Sequence, residues 1–150
     1  MTDRRTTADR VEIDALRADF TDAGMMHDYD RFASLFTVDG AWRMPHIPIE
    51  FLGRNSIRAG VERMQSLWAY FVQTAHPGAT EIDGDSATGR GYVAEFGLQR
   101  NGASHANYAV YHDHYERTAD GWKFSERLYE VRYEDGSRLT GFSSPESRIR

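Results

Sequence analysis

Apolar residues first recur at helical spacing at Ile13, Leu16, Phe20 and Ala23, which predicts an amphipathic helix from residue 8 to about 26. Thr6, with Asp9 three positions on, is a plausible start for it. Asp28 is placed to cap a second, short helix whose buried stripe is Phe32, Leu35 and Phe36, with Val38-Asp39-Gly40 ending it as a turn. Ala41 to Met44 then reads as a strand, and Pro45 and Pro48 confine the next residues to extended or edge backbone. Asn55 is a good cap for a third helix lined on one side by Ile57, Val61, Met64 and Trp68. Gly60 inside it costs about 1 kcal/mol relative to alanine, for which close packing against a neighbour is the expected reason.

After Trp68 the period changes from helical to alternating. Tyr70 to His76 is a β-rich run stopped by Pro77-Gly78. Asp83-Gly84, Asn101-Gly102 and Asp120-Gly121 are three hairpin-turn signals between alternating runs. They divide residues 79 to 135 into a short strand and three long ones. Gly89-Arg90-Gly91 lies within a strand and reads as a bulge. From Ser137 to Arg150 the chain is polar, with Phe142 and Ile149 as its large apolar residues after Leu139; it reads as a tail or a pocket cover. No linker or repeat divides the chain, so residues 1–150 are expected to form one domain. Three helices followed by an antiparallel meander is α+β. A strongly curved sheet of long strands wrapped around helices makes a cone, open at one end, where a pocket would form.

Composition narrows the function classes. At 150 residues the chain is long enough for one core. Its formal net charge of −5 offers no basic face for phosphates, which argues against nucleic acid as a partner. There are no cysteines, which removes disulfides, thiolate metal sites and cysteine nucleophiles together. The first ten residues lack the apolar stretch of a signal peptide, and no run approaches the ~20 apolar residues of a membrane span. A cytoplasmic protein with no membrane partner is expected.

The candidate chemistry gathers on the hairpin from His105 to Tyr133. Tyr111 and Asp113 alternate onto one face of their strand, and Asn107 precedes Tyr111 by four residues on that face. Arg127, on the next strand, is in reach of Asp113. The pair reads either as site chemistry, with Asp113 orienting an acid–base group and Tyr111 polarising an oxygen, or as a partly buried ion pair. His112 and His114 share the opposite face; with His105 or Glu116 they form a conceivable metal site, but a solvated or subunit-facing pair is the preferred reading, and no metal is expected. Trp42 and Phe71 are candidate aromatic walls. On the strand around Glu95, apolar periodicity points Tyr92, Phe96 and Leu98 inward and Glu95 outward. If Glu95 instead faced the cone, it would be a credible general base.

The motif Tyr111-His112-Asp113, the turn Asp120-Gly121-Trp122 and then Arg127 resemble the SnoaL-like family of the nuclear transport factor 2-like superfamily. Asp28-Tyr29-Asp30-Arg31-Phe32 through Leu35-Phe36 to Asp39-Gly40, and Phe51-Leu52-Gly53-Arg54, are similar to the same family's second helix and entry to its third. On that face the resemblance puts Glu95 inside, against the periodicity. It implies a cone-shaped α+β fold and self-association as a homodimer or homotrimer. Within the superfamily the sequence is similar to scytalone dehydratase, in which the resemblance aligns His76 with a catalytic histidine and matches Trp122-Lys123-Phe124. That enzyme's Tyr-Asp pair falls on Gly24 and Met25, and its second histidine falls near Glu95 to Gly97. The resemblance therefore implies a cofactor-independent lyase or isomerase, such as a dehydratase of cyclic or aromatic polyketide-type compounds. His76 would move the proton, Tyr111 would stabilise oxygen charge, and Asp113 would orient a partner. The alternative is a non-catalytic module that binds a small hydrophobic or aromatic molecule or drives oligomerisation.

Overall fold

The computed structural model describes residues 3–144. Helix α1 spans Arg4–Met25, α2 Tyr29–Ser34 and α3 Arg54–Ser66; strands β1 (Phe36–Met44), β2 (Ile49–Leu52), β3 (Trp68–Asp83), β4 (Ser86–Gln99), β5 (Ser104–Thr118) and β6 (Gly121–Asp135) complete the chain. The strands form one six-stranded sheet in the order β2-β1-β6-β5-β4-β3. All neighbours are antiparallel except β1 and β6, which run parallel. The α+β architecture is therefore as the pattern predicts, a curved sheet that does not close, with the helices against its inner face. No helix among the described residues is long and apolar enough to cross a membrane.

Several boundaries differ for identifiable reasons. Helix α1 begins at Arg4, and Asp9 lies within it rather than closing a cap. Its carboxylate instead accepts two hydrogen bonds from Arg117, at 2.6 and 2.7 Å, and one from Trp122 Nε1 at 3.0 Å, pinning the start of α1 to the β5–β6 end of the sheet. Asp28 caps α2 as expected, accepting from Arg31 N at 3.2 Å. The expected turn at Val38-Asp39-Gly40 is part of β1, which starts at Phe36 and shifts register against β6 between Phe36 and Ala41. Pro45 to Pro48 form the turn of a β1–β2 hairpin, leaving β2 at the sheet edge. Gly53, not Asn55, caps α3: its φ of 87° is a backbone conformation that a side chain would strain. At Gly60 an added Cβ would lie 2.5 Å from the Phe51 ring, so close packing does account for it.

Strand β3 does not stop at Pro77-Gly78. It runs on to Asp83 with one extra residue between His76 and Ala79, so the bulge lies on β3, opposite Gly91, and the β4–β5 ladder is unbroken past Gly89-Arg90-Gly91. These glycines let other groups come close. A Cβ on Gly78 would stand 1.8 Å from the Arg90 carbonyl oxygen, and one on Gly91 would stand 2.8 Å from Arg127 Nη2.

The core is centred on Phe20, whose ring meets Phe32 (4.5 Å between centroids), Tyr111 (5.4 Å), Trp42 (6.0 Å) and Phe124 (6.0 Å). Helix α1 thus packs its Phe20 against rings from α2, β1, β5 and β6 on the inner side of the sheet. Of the tail, Leu139 N donates to Ser104 Oγ at 3.2 Å, and Phe142 is exposed; Ile149 lies outside the described residues.

Candidate active site

Next to Phe20 lies a cavity of about 180 Å³. An engineered apolar cavity of about 150 Å³ binds benzene, so there is room here for a ring. Helix α1 contributes Thr21, Gly24 and Met25 to the lining, α3 contributes Val61 and Met64, and β1 contributes Trp42 and Met44. The sheet contributes Phe71, Gln73, Glu95, Asn107, Tyr111 and Tyr129.

Of the residues singled out from sequence, Trp42, Phe71, Glu95, Asn107 and Tyr111 are brought together on this wall. Four are not. His76 is exposed on the outer face of β3, with Nε2 3.3 Å from Thr74 Oγ1. The physical reason is alternation: His76 pairs across the ladder with exposed Tyr92, whereas Gln73 pairs with Glu95 and faces inward. Tyr92 is outside for the same reason, which corrects the inward phase expected for it. Asp113 and Arg127 are buried but do not line the cavity. They are directly paired in the β5–β6 ladder, with Arg127 Nε donating to Asp113 Oδ1 at 2.7 Å and Nη2 to Oδ2 at 3.1 Å. Asp113 also accepts from Tyr115 at 2.6 Å, and Tyr115 accepts from Arg17 Nη1 at 3.0 Å. The guanidinium is held among three rings, its carbon 4.0 Å from the centre of Tyr111 and 4.4 Å from those of Phe20 and Phe124. Arg127 is thus the bed on which the Tyr111 ring rests.

The polar part of the cavity wall is a directed hydrogen-bond chain. Thr21 Oγ1 donates to Gln73 Oε1 at 2.7 Å; Gln73 Nε2 donates to Glu95 Oε2 at 3.0 Å; Tyr129 donates to Glu95 Oε1. Every bond in it points its proton toward Glu95. Burial, then the Glu95 charge and the bond to it, push the Tyr129 pKa far up, so that hydroxyl stays a donor. The Tyr111 pKa is raised too, by burial first and with the Arg127 charge acting against it. Tyr111 accepts from Trp42 Nε1 at 3.1 Å, and its own proton meets no acceptor among the described residues.

Gln73, Tyr129 and Thr21 are the site residues that the sequence pattern misses. Tyr129 had a usable signal, since it lies two residues from Arg127 on the same face and opposite Tyr111. At the cavity mouth, the His46 ring packs on Tyr129 at 5.1 Å, and His105 lies beside Trp68 at 5.6 Å. The outer-face histidines are exposed; His112 Nε2 and Glu130 Oε1 are 2.8 Å apart, and no group of three or more His, Asp or Glu able to hold a metal occurs among the described residues.

A curved, unclosed sheet with N-terminal helices packed against it and a ring-sized pocket between them is the nuclear transport factor 2-like class of α+β fold. Residues 5–128 match the model of the SnoaL-like domain, and the chain belongs to that family. No curated protein matches the sequence. Among solved structures, the chain is similar to LinA, at 25% identity and a TM-score of 0.87, over 97% of this chain and 100% of that one. It is also similar to the hexachlorocyclohexane dehydrochlorinase LinA-type3 from Novosphingobium barchaimii LL02, at 24% identity and a TM-score of 0.86, over 96% and 100% of the two chains. A proposed scytalone dehydratase from Novosphingobium aromaticivorans DSM 12444 aligns at 16% identity and a TM-score of 0.77, over 96% and 97%.

Proposed function

We propose that this protein is a small-molecule lyase or isomerase that moves a proton on a cyclic, largely apolar substrate, with Glu95 as the base. The observation that carries this reading is the direction of the bonds around Glu95. Gln73 and Tyr129 both donate to it, and each carboxylate oxygen keeps further lone-pair capacity for a substrate proton. Tyr111 supplies the complementary donor, because its oxygen is already occupied by the Trp42 indole N–H and its proton is free for a ligand. The Arg127 charge beneath its ring favours negative charge developing on an oxygen bonded to it.

Water loss is the form of the reaction we put first, from a cyclic or aromatic polyketide-type compound. Glu95 takes the proton next to a carbonyl, and that C–H electron pair becomes the new carbon–carbon double bond. The C–O bond at the neighbouring carbon breaks, and the departing hydroxyl leaves as water with a proton from Tyr111, which Glu95 restores. Returning the proton to a different carbon would give isomerisation instead. Similar structures solved as a dehydrochlorinase and a proposed dehydratase support elimination chemistry in this fold.

The test is deuterium uptake next to the carbonyl of a panel of cyclic ketones, followed by NMR. Glu95→Gln keeps the shape and should lower exchange by about 100-fold or more, the low end of what a positioned base contributes. His76→Ala should leave it within about two-fold, since His76 is outside the cavity. Exchange that survives Glu95→Gln would reject the assignment. A second reading, a binding module without catalysis, is favoured by Gly24 and Met25, which line the cavity where the dehydratase resemblance expects a proton-transfer pair. Tight ligand binding with no exchange on any ketone would select it.

A further inference from the structure

The cavity holds a negative charge that no basic residue balances. Glu95 and Glu134 line it, and no lysine or arginine does so among the described residues. The two donors to Glu95, Gln73 Nε2 and the Tyr129 hydroxyl, are uncharged, and no ion pair reaches Glu95 among the described residues. The Arg127 guanidinium beneath Tyr111 is no substitute, because Asp113 already matches it with bonds of 2.7 and 3.1 Å. At the mouth, Glu134 Oε1 lies 3.9 Å from His105 Nδ1. Glu95 is only half-buried, and each of its oxygens has lone-pair capacity beyond the one donor it accepts. After burial, its charge is one of the causes that push the Tyr111 and Tyr129 pKa values up, so its field is felt across the wall. The side chains that share the cavity with it include Trp42, Trp68, Phe71 and Tyr129. Aromatic faces attract a cation, whereas they do not replace the hydration that a carboxylate loses beside them.

We propose that this cavity binds a ring that carries a protonated amine, with the ammonium seated against Glu95 among the aromatic walls. The ammonium supplies the missing positive charge and donates to the carboxylate, while the ring fills the apolar part of the cavity. An anionic ring is turned away, since its charge would enter beside Glu95 with no cation to meet it. Such a ligand lies outside the lyase or isomerase reading and needs only that the cavity be a ligand site. Seated there, it occupies the base and competes with the substrate.

The experiment titrates the full chain calorimetrically at pH 8, where an ordinary imidazole is uncharged. The probes are benzylamine, a cation at that pH, its uncharged counterpart benzyl alcohol, and the anion benzoate. Benzylamine should bind about 10-fold more tightly than benzyl alcohol, as expected for one hydrogen bond to a charged group. Benzoate should bind at least about 10-fold more weakly than benzyl alcohol, from the like charge it brings to Glu95. The preference for the amine should fall below about two-fold in Glu95→Gln, which keeps the shape of the side chain. It should stay above about five-fold in Glu134→Gln, whose carboxylate is exposed at the mouth. Glu95→Ala serves the same purpose if circular dichroism shows that the glutamine variant is not folded. Benzyl alcohol or benzoate binding as tightly as benzylamine to the unaltered protein overturns the proposal, as does failure of benzylamine to saturate at millimolar concentration. A preference that survives Glu95→Gln, or that is lost in Glu134→Gln, also overturns it by seating the amine elsewhere. Binding requires no turnover, so the two readings fail separately. Amine preference without deuterium exchange rejects catalysis and keeps the cation site, and exchange without amine preference does the reverse.

Discussion

Removing the Arg127 charge tests whether the pair beneath the cavity is a structural unit. Arg127→Met keeps the aliphatic stem and its contact with the three rings but deletes the guanidinium. Asp113 then loses bonds of 2.7 and 3.1 Å, and with a side-chain exposure of 0% it cannot turn to water. Tyr115 still donates to it, and the next cation, Arg17, reaches only the far side of that tyrosine. A buried charge stripped of its partner costs roughly 3–5 kcal/mol. Against the roughly 5–15 kcal/mol typical of a whole domain, the variant should fold but with a much lower midpoint. Adding Asp113→Asn removes the stranded charge and keeps an acceptor for Tyr115, so the double variant should be more stable than Arg127→Met by about 1–3 kcal/mol. Guanidinium denaturation followed by tryptophan fluorescence measures both, with an unchanged slope as evidence that the unfolded state is not altered. A loss below about 1 kcal/mol for Arg127→Met, or a further loss on adding Asp113→Asn, would refute the account.

Two other predictions concern the frame around the site. Asp9 is held at about 2, below its ordinary 3.8, chiefly by the Arg117 hydrogen bonds and also by Trp122, against the opposing effect of burial. A folded-state value below the unfolded one contributes stability that is complete above about pH 4 and lost as the pH falls toward 2. Denaturation midpoints measured from about pH 5 down to about pH 2 should therefore fall more steeply for the unaltered protein than for Asp9→Asn; parallel curves would contradict this. Gly78→Ala should cost about 3 kcal/mol in thermal denaturation, because its Cβ meets the Arg90 carbonyl oxygen at 1.8 Å and backbone on both strands must move. An unchanged melting temperature would mean that the β3 bulge is not where this geometry puts it.

The fold is legible because its signals are local. Ile13, Leu16, Phe20 and Ala23 lie on one helical face and are all buried. The glycines of the three turn pairs, Gly84, Gly102 and Gly121, all adopt positive φ. Signals that depend on distant partners mislead. Val38 to Gly40 has turn residues, yet it lies within β1 as part of a bulge of three extra residues between the Phe36–Phe124 and Ala41–Glu126 pairs, and those pairs with β6, more than 80 positions away, keep it in the strand. Pro77-Gly78 looks like a stop, but at a bulge the extra residue is unpaired, so the missing proline N–H leaves the ladder intact.

The site turns on which way Glu95 faces, and that depends on one residue of loop length. Asn101-Gly102 predicts a hairpin but not how many residues make its loop. A two-residue turn would pair Arg100 with Ala103 and place Glu95 opposite Tyr108, on the outer face. The chain instead uses Arg100-Asn101-Gly102 as the loop, with Gly102 at φ 94° and Gln99 N bonded to Ala103 O at 2.8 Å. That shift of one moves Glu95 opposite Asn107, and with it every side chain of β4 changes face relative to β5. Apolar periodicity could not supply the correction, because the outer face is itself partly apolar: Tyr92 and Phe96 are 41% and 44% exposed, and Tyr108 and Tyr133 are more exposed still. The alternation that puts Asn107, Tyr111 and Asp113 on one face is sound, but it cannot carry the proton carrier across to His76 on β3. Extended through the loop, the same alternation leads to Glu95. A carboxylate on β4, one strand in from the sheet edge, receives donors from both sides, Gln73 on neighbouring β3 and Tyr129 on β6, beyond β5. His76, on the outer face of the edge strand β3, has no such neighbours: among the described residues its ring nitrogen meets Thr74 Oγ1 alone.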